Sequence, residues 1–261
     1  VTTNEREFQV PNATPHMIFI KGEVIKRPPT EYEKAGYTKT AGMARFKEPD
    51  VQLNLLNTQS MNDTFMVRNF WTKPVSFSLA SKPEYVSEVF RSFGNELQPG
   101  QEGMIVLKYD ASKRQAFGLL KDMVTYTTND SLEAKKMIHF AVNIKEDFSK
   151  LTPKQLHNAP IAVYSATAYD FGQVQKNTVA TTSITLSNNG KSPLLIHKIN
   201  PSNGMFSASA DILTIPAGGK ATVTINLKSN SRAGQQQATI EIITNDPKNP
   251  VQVIDLTTQI L

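Results

Sequence analysis

The side chains of this sequence that could do chemistry are carboxylates and histidines. They leave open glycoside hydrolysis, general acid–base work and metal binding. Asp110, Asp122, Asp130, Asp246 and Asp255 are all available, and a glycosidase needs two such groups about 5–10 Å apart. Asp130 and Asp246, however, each follow an Asn in a polar loop. There a short carboxylate bonds nearby backbone amides, which is turn work. Asp110 ends a predicted strand. The four histidines, His16, His139, His157 and His197, fall on separate strands or linkers, and no two stand at i, i+4. That spacing gives no zinc site. Gly190-Lys191-Ser192 spells the end of a phosphate-binding loop, but Thr185 stands where the loop needs its first Gly. There is no Gly-x-Ser-x-Gly elbow to anchor a serine hydrolase. Cysteine is absent, which excludes disulfides, thiolate metal sites and a cysteine nucleophile. The sequence therefore offers no catalytic, cofactor-binding or metal-ligating set, and the expectation is a protein that is not an enzyme.

What must be positioned is a repeated frame. Thr2-Thr3-Asn4, Thr127-Thr128-Asn129 and Ile243-Thr244-Asn245 each follow β-rich residues and precede a polar loop and a last alternating strand. Asn129 and Asn245 stand 116 residues apart, and Asn4 and Asn129 stand 125 apart. Those intervals are too long for solenoid or propeller units and fit tandem copies of a whole domain. Gly118 and Gly234 each stand 11 residues before their Asn, an interval that fixes the register of two paired strands in both copies.

Within the last copy, Thr181–Ser187, Thr222–Leu227, Thr239–Thr244 and Val251–Leu256 alternate polar and apolar residues as half-buried strands do. Asn188-Asn189-Gly190-Lys191 reads as a tight hairpin turn, with Asn-Gly supplying positive φ. Short strands with turn signals every 8–12 residues point to an all-β fold of immunoglobulin-like antiparallel β-sandwiches. The expected organisation is a C-terminal hairpin of a preceding repeat over 1–28, a linker over 29–45, a sandwich over 46–146, a linker over 147–160 and a sandwich over 161–261. The pattern opens in mid-strand at Val1, so residues 1–28 are expected to belong to a larger protein. Thr152-Pro153-Lys154-Gln155 carries the signals of a helix start, and predicts a short helix from Pro153 to about Asn158. Tyr32 through Gly42 shows no clear period.

The 28 basic and 23 acidic residues give a net charge of +5, and the basic residues are scattered without a run of five. That pattern describes a solvated surface and argues against nucleic acid as a partner. No apolar stretch approaches the roughly 18 residues of a membrane helix. Phe70-Trp71 is the most suggestive local pair, because it replaces Asn189-Gly190 in the equivalent turn. An aromatic pair there either stacks on a sugar or anchors a protein partner, or else Trp71 folds back over the end of its own core or against the linker. Asp63-Thr64-Phe65 and Asp130-Ser131-Leu132 look like acceptor sites for O-linked glycans, at Thr64 and Ser131.

Tyr169-Asp170-Phe171-Gly172-Gln173-Val174, then Leu186–Ile196, Ile215-Pro216-Ala217-Gly218 and Thr244-Asn245-Asp246-Pro247 resemble the ASH/hydin-type immunoglobulin-like domains. They are most similar to the uncharacterised branch found in tandem in envelope lipoproteins and exported proteins of Gram-negative bacteria. The resemblance covers 161–261 well, 46–146 more weakly and 1–28 as a tail. It implies a seven-strand immunoglobulin-like fold and an extracytoplasmic, non-enzymatic role in the periplasm or at the cell surface. Members of that branch often carry Cys-Gly-Cys after the Leu-x-Ile strand, where this chain has Pro201–Phe206. No metal or redox role of those cysteines carries over. The expected function is a structural or protein-interaction module with a protein partner in the cell envelope, through Phe70, Trp71 and the groove between copies. The alternative is a carbohydrate-binding accessory module with a glycan partner.

Overall fold

The structure, a computed structural model, describes residues 27–230 and 232–261. The expected tail of an earlier copy lies outside the described residues except for its last two positions. The first sandwich is built from β1 (Ala44–Phe46), β2 (Asp50–Leu56), β3 (Ser60–Asn69), β4 (Val75–Ser81), β5 (Val86–Arg91), β6 (Glu96–Leu97), β7 (Glu102–Asp110), β8 (Gly118–Thr128) and β9 (Lys135–Lys145). The second is built from β10 (Ala162–Tyr164), β11 (Ala168–Val174), β12 (Val179–Asn188), β13 (Leu194–Pro201), β14 (Phe206–Ala210), β15 (Thr214–Ile215), β16 (Lys220–Lys228), β17 (Gly234–Thr244) and β18 (Val251–Ile260). Among the described residues there are also three one-turn helices: α1 (Glu31–Lys34), α2 (Ala111–Arg114) and α3 (Pro153–His157).

The sheets of the first sandwich run β1-β3-β7-β5 and β2-β9-β8-β4-β6. Those of the second run β10-β12-β16-β14 and β11-β18-β17-β13-β15, so adding nine to each label converts one into the other. Where the resemblance implies seven strands, each sandwich has nine, the added ones being two or three residues long. The sheets are antiparallel except for one parallel pair in each, β2 with β9 and β11 with β18. Inward positions alternate along the strands: Ile138, Phe140, Val142 and Ile144 in β9, and Ala221, Val223, Ile225 and Leu227 in β16. Each set packs into its own apolar cluster, and burial of these side chains is the main favourable contribution, about 1.5–3 kcal/mol for each large one.

Asn188-Asn189-Gly190-Lys191 is not a hairpin turn. β12 and β13 lie in opposite sheets, so the segment crosses between them. Gly190 does not take a left-handed φ. Its lack of a side chain is needed because a Cβ there would lie 2.3 Å from the Ala159 carbonyl oxygen and 2.5 Å from Pro160 Cα. Trp71 holds the matching place in the first sandwich, since its amide donates to Asn69 Oδ1 as that of Gly190 donates to Asn188 Oδ1.

The predicted helix forms as α3, with Thr152 and Gln155 closing a capping box and Pro153 in the first turn. A second capping box, Thr30 with Glu33, starts α1 in the stretch where the sequence shows no period.

Candidate functional site

The residues that hold matching places in the two sandwiches meet at one end of each. There Asn69 donates to the carbonyls of Lys73 (2.8 Å) and Leu97 (2.9 Å), as Asn188 does to those of Ser192 (2.8 Å), Ile215 (3.0 Å) and Pro216 (3.2 Å). Asn129 accepts from the Ser76 amide and donates to the Pro74 carbonyl, and Asn245 does the same with Leu195 and Pro193. Asp130 accepts from the amides of Met43 (2.6 Å), Leu132 (3.0 Å) and Ala44 (3.1 Å). Asp246 accepts from those of Ala162 (2.9 Å), Lys248 (2.9 Å) and Asn249 (3.4 Å). Both carboxylates are fully buried. Each pins the first strand of its sandwich to the last loop: the turn role read from sequence covers the bonds from Leu132, Lys248 and Asn249, whereas those from Met43, Ala44 and Ala162 reach across the sandwich. Burial raises the Asp130 carboxyl, but the Lys136 ammonium and the backbone amides outweigh it and hold it below the usual carboxylate range.

The remaining acids are dispersed. Asp110 caps α2 through the Ser112 amide. Asp122 accepts from the phenols of Tyr85 and Tyr109, at 2.5 and 2.7 Å, and lies 3.3 Å from Arg114. Burial, then the bond to Asp122, pushes the Tyr85 phenol up to about 12. Asp255 is exposed on β18. His139 pairs with Asp50, His157 touches Lys191, and His197 pairs with Glu146. Among the described residues no three His, Cys, Asp or Glu side chains converge. The hydroxyl-bearing Thr64 and Ser131 are both exposed.

Phe70 and Trp71 are half-buried. Phe70 sits edge-on between Tyr32, at 6.1 Å, and Tyr37, at 5.5 Å, both from the segment that precedes the sandwich. Arg45 lies 3.8 Å over the Tyr32 ring and donates to the carbonyls of Thr40 and Gly42. Trp71 packs on the edge of the first core, with the Lys73 ammonium 5.5 Å from its ring. The result is an ordered aromatic cap with part of two rings facing solvent.

The second candidate surface is the junction between the sandwiches, which sequence reasoning anticipated only as a groove. Phe117 stacks on His197 with centroids 4.0 Å apart and planes at 22°. His197 Nε2 lies 2.8 Å from Glu146 Oε2, and Lys198 Nζ donates to the Leu119 carbonyl at 2.9 Å. Ile243 alternates to the outer face of β17 yet is only 6% exposed, because Gly118 covers it. Beside these contacts runs a cavity of about 520 Å³ lined by Leu56, Phe148, Glu241, Ile243, Pro250 and Val251, among others.

Gly118 has φ +76°, and a Cβ on it would lie 2.5 Å from Ile243 Cδ1. Gly118→Ala is expected to cost about 1–3 kcal/mol in backbone strain and to push the sandwiches apart. NMR relaxation would then show the two tumbling separately. Gly234 has the same left-handed backbone with nothing among the described residues within 4 Å of a Cβ there, so Gly234→Ala should strain the chain and leave the junction intact.

A family model described as protein of unknown function (DUF1573) matches residues 163–259, the second sandwich. A solved protein of unknown function from Porphyromonas gingivalis W83 is 19% identical with a TM-score of 0.60, covering 84% of this chain and 100% of that one. The ASH/PapD-like domain 7 of human CEP192 is 11% identical with a TM-score of 0.33, over 45% of this chain and 94% of that one. The periplasmic chaperone SfaE is 14% identical with a TM-score of 0.28, over 84% and 100% of the two chains. No curated protein matches the chain. The likeness at TM-score 0.60 shows the fold, immunoglobulin-like β-sandwiches, and not an activity.

Proposed function

We propose that this chain is a non-enzymatic interaction module, two tandem copies of one immunoglobulin-like domain that hold a protein partner in the cell envelope, outside the cytoplasm. The observation that carries the reading is where the recurring polar residues go. Asn69 and Asn188, Asn129 and Asn245, and Asp130 and Asp246 are all committed to backbone groups of their own sandwich. What varies between the copies is the loop surface, and the aromatic cap belongs to the first copy alone. Rings that are already ordered lose little freedom when a partner covers them, which favours them as anchors.

Trp71→Ala is expected to lower the stability of the first sandwich by about 1–2 kcal/mol, since the ring is only partly buried, and to abolish partner capture. A photo-crosslinking residue placed at Thr72 in the native envelope should mark one discrete protein, while a glycan array stays blank. Retained crosslinking in the Trp71 variant would remove the cap from the interface. Glycan binding lost with Trp71→Ala would replace the reading with the carbohydrate-binding one.

A further inference from the structure

On one side each sandwich ends on β1 and β2, or on β10 and β11; β1 and β10 are three residues long, β2 and β11 each carry an Asp, and β11 shifts register with β18 between Asp170 and Gln173. The other side ends on β5 and β6 in the first sandwich and on β14 and β15 in the second. β6 and β15 are two residues each, so on this side β5 and β14 are the edges long enough to template another strand. β5 is guarded. Its register with β7 shifts between Glu88 and Phe90, and Glu88 and Arg91 form an ion pair at 2.9 Å. β14 has none of these devices. Phe206-Ser207-Ala208-Ser209-Ala210 carries no charge and no proline, and it pairs with β16 without a break from Phe206↔Leu227 to Ala210↔Val223.

The direction of its free backbone groups follows from the ladder. The Lys228 amide donates to the Met205 carbonyl at 2.8 Å, and the Asp211 amide donates to the Thr222 carbonyl at 3.1 Å. Residues 205 and 211 therefore face β16, and so, by alternation, do the backbone groups of Ser207 and Ser209. Those of Ala208 and Ala210 point away from the sheet, where β14 has no further neighbour among the described strands.

We propose that β14 is a self-recognition edge, on which β14 of a second copy of this chain adds antiparallel with Ala208 opposite Ala208. The strand reads almost the same in both directions about that residue. On the outer face Ser207 of one copy meets Ser209 of the other, both exposed, so two hydroxyls can bond across the join. On the inner face Phe206 meets Ala210, large against small. Ala208 brings its outward-facing backbone groups opposite those of the second copy, while Ala210 falls opposite Phe206, whose amide already donates to the Asn203 carbonyl at 3.4 Å, so the central pair carries the extension of the ladder. The inference stands apart from the envelope partner proposed above, which engages the other sandwich.

Sedimentation equilibrium on the full chain, from about 10 μM to about 1 mM, should show a monomer–dimer equilibrium, since one strand edge buries less than the ~1,200 Å² of stable interfaces. Ser207→Lys with Ser209→Glu places opposite charges across the join twice. It should lower the dimer Kd roughly three- to ten-fold. Ser207→Lys with Ser209→Lys should raise it by a similar factor. Ala208→Pro removes an outward donor that the internal ladder does not use and should leave a monomer. If that variant fails to fold, the two serine variants, both at exposed positions, still decide the matter. A chain monomeric at every concentration, or a dimer whose Kd moves the same way in both charge variants, overturns the proposal.

Discussion

Replacing Lys136 by Met is expected to destabilise the first sandwich by about 3–5 kcal/mol, the usual consequence of stranding one member of a buried ion pair. The Lys136 ammonium is fully buried and donates to Asp130 (2.9 Å), Glu133 (3.0 Å) and the Ala41 carbonyl (3.1 Å). Without it the buried Asp130 carboxylate keeps its amide donors but loses its countercharge. Adding Asp130→Asn should restore a large part of the loss, because the stranded charge disappears with it. The second sandwich supplies an internal control. Lys136 pairs with Tyr126 on β8, and the residue in the matching register on β18 is Gln252, opposite Ile242. Asp246 there relies on amides alone, so Gln252→Met should change little. Urea unfolding read by tryptophan fluorescence is selective here, since Trp71 is the single Trp and lies in the first sandwich. The same probe tests the pH dependence. The Asp130 carboxyl is lowered in the folded state, so its contribution is fully present above the unfolded value of about 3.9 and is lost as the pH falls through the folded one. The unfolding midpoint should therefore drop below about pH 4, and less so in Lys136→Met. A flat response in the wild-type chain would count against this role for Asp130.

Asn188→Ala is the second large effect, at about 3 kcal/mol or more, because each buried group left without a partner costs about 1–3 kcal/mol. The side chain is fully buried. It accepts from the amides of Gly190 (3.0 Å) and Ile161 (3.3 Å) while donating to carbonyls on either side of the crossing segment. Its removal should free β10 first, and hydrogen exchange at the Ile161 and Gly190 amides should accelerate before the rest of the sandwich responds. The adjacent Asn189 is exposed, so Asn189→Ala should stay within about 0.5 kcal/mol of wild type. Equal losses for the two would mean that the polar pin is not what secures this end.

Local chemistry was legible in the sequence wherever it is carried by neighbouring residues. The capping box at Thr152 and Gln155 is spelled in four consecutive positions, and α3 forms there. The same spelling at Thr30 and Glu33 was readable too, but α1 buries none of its residues and so shows no apolar period to draw attention to it. Lys136 was equally readable in principle. It stands two residues before Ile138 in a strand whose even positions face inward, and a lysine in that phase calls for a buried counterion.

Other features depend on distances the sequence does not encode. Asn-Gly reads as a hairpin because that dipeptide tolerates positive φ, whereas Gly190 is small to let the linker backbone pass. A parallel pair leaves the same side-chain alternation as an antiparallel one, which hid β2 with β9 and β11 with β18. At the junction, Phe117, Glu146 and His197 are brought together by the angle between two sandwiches. No spacing within either one specifies that angle.

Those parallel pairs bear on how the chain would carry tension. In each sandwich the long strand nearest the entry point lies beside the strand that leaves, and both run the same way. Pulling on the two ends would peel away the three residues of β1. It would then slide β2 along β9, straining all seven of their register pairs at once rather than opening them one by one. Resistance of that kind is governed by an unfolding rate, not by equilibrium stability. A string of such units would hold its length under load while remaining only ordinarily stable at rest.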